Sequence, residues 1–167
     1  RLGMSDELGP MVYGHGESDP AENVFHYQTK KANEVFQALD AKQAEKALLT
    51  DAPRENQVPI QGRQGQFPGI RVGELSADQQ ELVEQVIKVI LAPYRKEDVD
   101  EAVAMLKAGG GLEALNMAFY KKGDLKDDKI WDVWRVEGPS FVWHFRGAPH
   151  VHAYVNIGTT KLAEKKS

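Results

Sequence analysis

The hydrophobic repeat of this chain changes once, at Gly109-Gly110-Gly111, and that change limits what it can fold into. Before the three glycines, apolar residues recur at helical spacing; after them they fall on every second residue. Helices followed by a run of strands define an α+β architecture, because βαβ units would need the two kinds of segment to alternate.

Four helices are expected in the first part. Asp19-Pro20 offers an N-cap acceptor followed by proline at the first helical position. Val24, Phe25, Ala32, Val35, Phe36 and Leu39 then fall within about 120° on a helical wheel, a single buried stripe. A short helix over Ala41 to Leu49 follows Asp40. Ser76-Ala77-Asp78-Gln79 has the arrangement of a capping box, with Ser as N-cap and Gln at the third helical position. It opens a helix carrying Leu82, Val83, Val86, Ile87, Ile90 and Leu91 that Pro93 stops. The last helix, Asp98 to Lys107, ends on the three glycines, which suit a left-handed cap.

Four short segments follow, 115–121, 130–136, 140–146 and 150–157, rich in valine and aromatics and holding all three Trp. Gly123-Asp124, Gly138-Pro139 and Gly147-Ala148-Pro149 separate them, as turns separate the strands of a meander. The expected fold is a single α+β domain, 1–167, with amphipathic helices (19–49 and 76–108) packed on a C-terminal antiparallel β-meander of about four strands (112–158). Residues 1–18 are expected to form an irregular strap and 159–167 a charged tail. Between the helical segments, 50–75 reads as a long loop with Pro53, Pro59, Pro68, four glycines and four glutamines. Loops of that length inside a domain tend to be functional or mobile.

Composition removes several function classes. The chain has no cysteine, which excludes disulfides, thiolate nucleophiles, cysteine-held zinc and iron–sulfur clusters. A net charge of −4 argues against nucleic acid, whose phosphates are met by clustered Lys and Arg. No apolar run is long enough to span a membrane. There is no Gly-x-Ser-x-Gly elbow and no Gly-Lys-Ser/Thr phosphate loop. Arg1 in place of Met leads us to expect a processed chain or part of a longer one.

Candidate chemistry lies on the last hairpin. Alternation puts Phe141, Trp143 and Phe145 on one face of their strand and Val142, His144 and Arg146 on the other. In the next strand Val151, Ala153, Val155 and Ile157 oppose His150, His152, Tyr154 and Asn156. A three-residue turn centred on Ala148 would pair 146 with 150 and 144 with 152, keeping the apolar faces together and gathering three imidazoles. A turn at Gly138 with 136 opposite 140 would add Asp132 opposite His144. The metal-ligand candidates are therefore His144, His150, His152 and Asp132, with Zn, Cu or Fe as the divalent transition metal that nitrogen donors favour. Such an ion could serve hydrolytic or redox chemistry. Arg146, with Tyr154 and Asn156 on the same face, suits an anionic substrate, with or without metal. The other alternative is that these side chains form an ordinary polar face. The protein would then be a binding or assembly module whose Gln/Gly/Pro loop and strap dock a partner chain or a second copy.

Asn33 to Leu48, Phe67-Pro68-Gly69-Ile70-Arg71 through Gln80, Gly138-Pro139-Ser140-Phe141-Val142-Trp143 and Gly147-Ala148-Pro149-His150-Val151-His152 with Asn156 carry a resemblance. Over about two-thirds of its length, the chain is similar to the C-terminal half of the uncharacterised domain-of-unknown-function 3500 family. His144 stands where that family is expected to have Gln, and Ala148-Pro149 reads as an insertion. The resemblance implies a processed or truncated bacterial protein, periplasmic or extracellular, and no particular activity.

Overall fold

Side-chain caps fix where two of the helices begin. The computed structural model describes residues 7–16, 23–147 and 150–158. Helix α1 covers His26–Gln37 and α2 Ala41–Ala47. Asp40 starts α2: its Oδ1 accepts from the Gln43 amide at 2.8 Å while the Gln43 side chain accepts from the Asp40 amide at 3.0 Å. Ser76 and Gln79 form the expected capping box of α3, Ala77–Leu91, and each such cap satisfies amides that a helix start leaves open. The Gln79 amide also donates to Ala38 O at 2.8 Å and pairs with the Gln43 amide, which ties the start of α3 to the end of α1. Helix α4, Lys96–Ala108, ends at glycines as expected, with Gly110 and Gly111 at φ 112° and 71°. The Asp19-Pro20 helix start and the 161–167 tail lie outside the described residues.

The strands are β1 (Glu7–His15), β2 (Leu48–Leu49), β3 (Ile70–Arg71), β4 (Asn116–Tyr120), β5 (Val133–Gly138), β6 (Phe141–Arg146) and β7 (Val151–Gly158). They form one mixed seven-stranded sheet in the order β1-β7-β6-β5-β4-β2, with β3 also paired to β4. The fold is α+β, and its sheet is larger than the expected meander of about four strands. The strap contains β1, antiparallel to β7; glycines and a proline hid its alternation. The second helix stops two residues early, because Leu48 and Leu49 pair in parallel with Phe119 and Tyr120. Inside the long loop, Ile70 and Arg71 pair with Met117 and Asn116. Gly69 precedes them at φ +90°, where a Cβ would lie 2.1 Å from Met117 O, so glycine is required by both conformation and space.

One face of the sheet carries the main core. Met117, Phe119, Trp134, Val136, Phe141, Trp143, Phe145, Val151, Ala153, Val155 and Ile157 pack there with Val83, Val86, Ile87 and Ile90 of α3 and with Ala32 and Val35 of α1. Trp134 lies 6.3 Å from Trp143 and 5.2 Å from Phe145 between ring centroids. The helices cover only this face.

Candidate functional site

The other face, expected to carry a metal site or else an ordinary polar surface, is largely covered. Segment 50–69 lies across it as coil. Val58 and Ile60 pack on Val142 and the half-buried Tyr154, and Leu49 and Ala52 pack on Ala118, Tyr120 and Val133. Hydrogen bonds pin this roof: Asn156 Nδ2 to Val58 O at 2.9 Å, the Gly62 amide to Pro139 O at 3.0 Å, and Asn116 Nδ2 to Phe67 O at 3.2 Å. The polar side chains below are therefore sealed in: Arg135 is 4% exposed, Glu137 2%, His144 1% and Asn156 3%. Charged groups are almost never buried this deeply unless paired.

Arg135 is the hub of that pairing. Its Nη2 donates to Gln57 O of the roof at 2.7 Å, Nη1 to Glu137 Oε2 at 3.4 Å and Nε to His144 Nδ1 at 3.2 Å. Glu137 Oε1 accepts from Gln61 Nε2, again of the roof, at 2.7 Å. Because Nδ1 of His144 is an acceptor here, the imidazole proton sits on Nε2. Burial, with the guanidiniums of Arg135 and Arg146 adding to it, lowers the pKa of His144 to about 3. This ring stays neutral near neutral pH.

Among the described residues, cavities lie between roof and sheet, and Ala52 and Pro53 line two of them. The larger, about 470 Å³, is walled by Tyr120, Arg135, Glu137, Gln61, Gln66 and Asp51 with Pro53 and Pro68. Tyr120 is fully buried, and its hydroxyl has no hydrogen-bond partner among the described residues. The indole nitrogens of Trp134 and Trp143 share that lack; Tyr120 differs because it borders open space. Its pKa is pushed up to about 12, chiefly by burial, so the hydroxyl keeps its proton and can donate. The smaller cavity, about 260 Å³, is bordered by Glu55, Lys122, His144, Arg146 and Val133.

Strand register decides which expected residues meet. In β6 and β7, His144 lies opposite Tyr154 and Arg146 opposite His152. The expected pairing of 144 with 152 is off by two residues, leaving His144 and His152 diagonal. A two-residue slip keeps every side chain on its face, so the apolar pattern could not choose between the two registers. The Ala148 turn itself lies outside the described residues. His150 and His152 do come together, with ring centroids 4.6 Å apart.

The β5–β6 expectation needs a larger correction. Val136 pairs with Trp143 and Arg135 with His144 across a two-residue turn, so Asp132 is not opposite His144. Asp132 has the parity of Trp134 and precedes β5, with its carbonyl accepting from the Gly147 amide at 3.0 Å. The expected register would have put Trp134 and Val136 on the polar face. Burying those side chains is worth roughly 1.5–3 kcal/mol each, and that preference sets the register seen. Arg135, Glu137, Tyr120 and Glu55 were missed as site residues; the Trp134/Val136 against Arg135/Glu137 alternation was the signal for two of them. Among the described residues no group of three or more His, Asp or Glu is arranged to hold a metal ion.

A helix-backed sheet whose other face is largely buried and roofed by coil defines an α+β protein with solvent-open clefts between roof and sheet. The chain belongs to the family described as Protein of unknown function (DUF3500), whose profile matches residues 9–157. The resemblance expected over about two-thirds of the chain thus holds over most of it. Neither the curated proteins nor the solved structures give a match. Among the described residues no helix is long and apolar enough to cross a membrane.

Proposed function

We propose that this protein binds a small uncharged molecule, rich in hydroxyl or amide groups, in the larger cavity between the 50–69 roof and the sheet. The observation that carries this reading is the Tyr120 hydroxyl, buried, protonated and unpartnered beside that space. A buried polar group left open costs about 1–3 kcal/mol, and a ligand acceptor would recover it. The cavity has the size of ordinary small-molecule sites. Its charges are already matched: Arg135 lies against Glu137, and Asp51 pairs with Lys122. A net charge on the ligand would disturb that balance, whereas donors and acceptors of a neutral ligand can use Tyr120, the glutamine amides and Glu137. Binding is favoured over catalysis because His144, the one imidazole in the buried network, accepts from Arg135 and is a poor proton acceptor at neutral pH.

A thermal-shift panel of polyols, monosaccharides, simple amides and nucleosides tests this reading. One class is expected to raise the melting temperature saturably, as any ligand selective for the folded state must. A flat response across the panel would reject it.

A metal reading competes, and one observation favours it. His150 and His152 are adjacent, and Glu55 Oε1 lies 3.1 Å from His152 Nδ1. Two imidazoles and a carboxylate suit Zn, Cu or Fe, but Arg146 Nη2 stands 2.6 Å from that same nitrogen and would repel a cation. Elemental analysis of protein purified without a histidine tag is expected to give substoichiometric Zn, Cu and Fe. Stoichiometric metal that is lost in His152→Ala would establish the metal site instead. The assembly reading is weakened because the roof uses Val58 and Ile60 on its own sheet.

A further inference from the structure

We infer that the smaller cavity is a carboxylate-binding site whose present occupant is the protein's own Glu55. The groups around Glu55 are hydrogen-bond donors or cations. Arg146 Nε lies 2.5 Å from Glu55 Oε2, and His152 Nδ1 lies 3.1 Å from Oε1. His144 borders the same space, as does Lys122, whose ammonium is paired with Asp51. His144 is 1% exposed. Its Nδ1 is engaged by Arg135, which leaves Nε2–H as a fixed donor without a protein acceptor among the described residues. A neutral donor beside a guanidinium is what an anion requires in a partly dry site.

Glu55 fills this place poorly. Although its Oε2 and Arg146 Nε are close, neither atom makes a hydrogen bond among the described residues, so the two are paired by charge and not by alignment. His152 Nδ1 faces both Arg146 Nη2 and Glu55 Oε1. One ring nitrogen can accept from the first or donate to the second, never both at once. Glu55 also belongs to the roof, inside the Arg54–Gln57 turn. A free carboxylate that seats bidentately on Arg146 and accepts a hydrogen bond from His144 Nε2–H would displace Glu55 and release that part of the roof.

Succinate is the probe, with inorganic phosphate as the comparison anion and chloride setting the ionic strength. Glu55→Gln removes the competing charge and keeps the side chain's shape. Succinate is expected to bind this variant about tenfold or more tightly than wild type, the range of one charged hydrogen bond. The gain should vanish in the Glu55→Gln/Arg146→Gln double variant. In wild type, saturating succinate should speed amide exchange across residues 54–58, a readout that needs no variant. Equal affinity of wild type and Glu55→Gln, or a double variant that binds as well as the single one, would overturn the inference. So would tighter binding of phosphate than of succinate, which would make the site one for tetrahedral anions. The Tyr120 hydroxyl and Glu137 are untouched by these changes, so failure here leaves the neutral-ligand reading standing.

Discussion

Arg135→Met is expected to lower unfolding free energy by about 3–5 kcal/mol, the usual cost of removing one partner of a buried ion pair. Glu137, 2% exposed, would keep its carboxylate but lose the guanidinium beside it. The roof would also lose the bond from Arg135 to Gln57 O. The effect should belong to the orphaned charge more than to the missing contacts. Arg135→Met/Glu137→Leu is therefore expected to recover much of the loss, because an apolar pair of similar volume removes the uncompensated carboxylate. Urea unfolding of the two variants checks this. A single variant within about 1 kcal/mol of wild type would mean that Glu137 is not held by Arg135.

The second large effect is an acid loss of stability traceable to one imidazole. In the unfolded chain His144 titrates near 6.5, as an ordinary imidazole does, and in the fold near 3, with burial as the main cause. Between these values the unfolded chain takes up a proton that the folded chain refuses. Stability is therefore full above about pH 6.5, falls as the pH drops, and stops falling from this source near pH 3. The total is on the order of 5 kcal/mol. His144→Gln keeps an acceptor for Arg135 and has nothing to titrate. The stability difference between wild type and this variant is expected to shift toward the variant steadily below pH 6.5. Parallel pH profiles for the two proteins would show that His144 titrates normally in the fold.

Much of this architecture was legible in the sequence because it rests on period and caps. Ser76 and Gln79 announce α3, and Phe141, Trp143 and Phe145 against Val151, Ala153 and Val155 fix which faces of β6 and β7 meet the core. What was not legible depends on partners distant in the chain. Leu48 and Leu49 are a strand only because β4 is there to pair with them. The face of His144 followed from alternation, but its neighbour on β5 did not, since that depends on Trp134 and Val136 turning to the core. The roof is the largest omission. Nothing local in a Gln/Gly/Pro stretch says that Val58 and Ile60 will seal a sheet face, and that sealing turns an ordinary polar surface into buried, paired charge. Tyr120 becomes a candidate binding group for the same reason: the roof makes the cavity that Tyr120 borders.

The most direct test is a comparison of wild type and Tyr120→Phe, titrated with the compound that stabilises wild type most. If the hydroxyl is held open for a ligand, removing it leaves the unliganded protein as stable as before, or up to about 1 kcal/mol more stable, because a buried group without a partner is gone. The same change should weaken ligand binding by about five- to tenfold. Stability and affinity would thus move in opposite directions. A Tyr120→Phe protein that is clearly less stable, or that binds the compound as tightly as wild type, would contradict the proposed site.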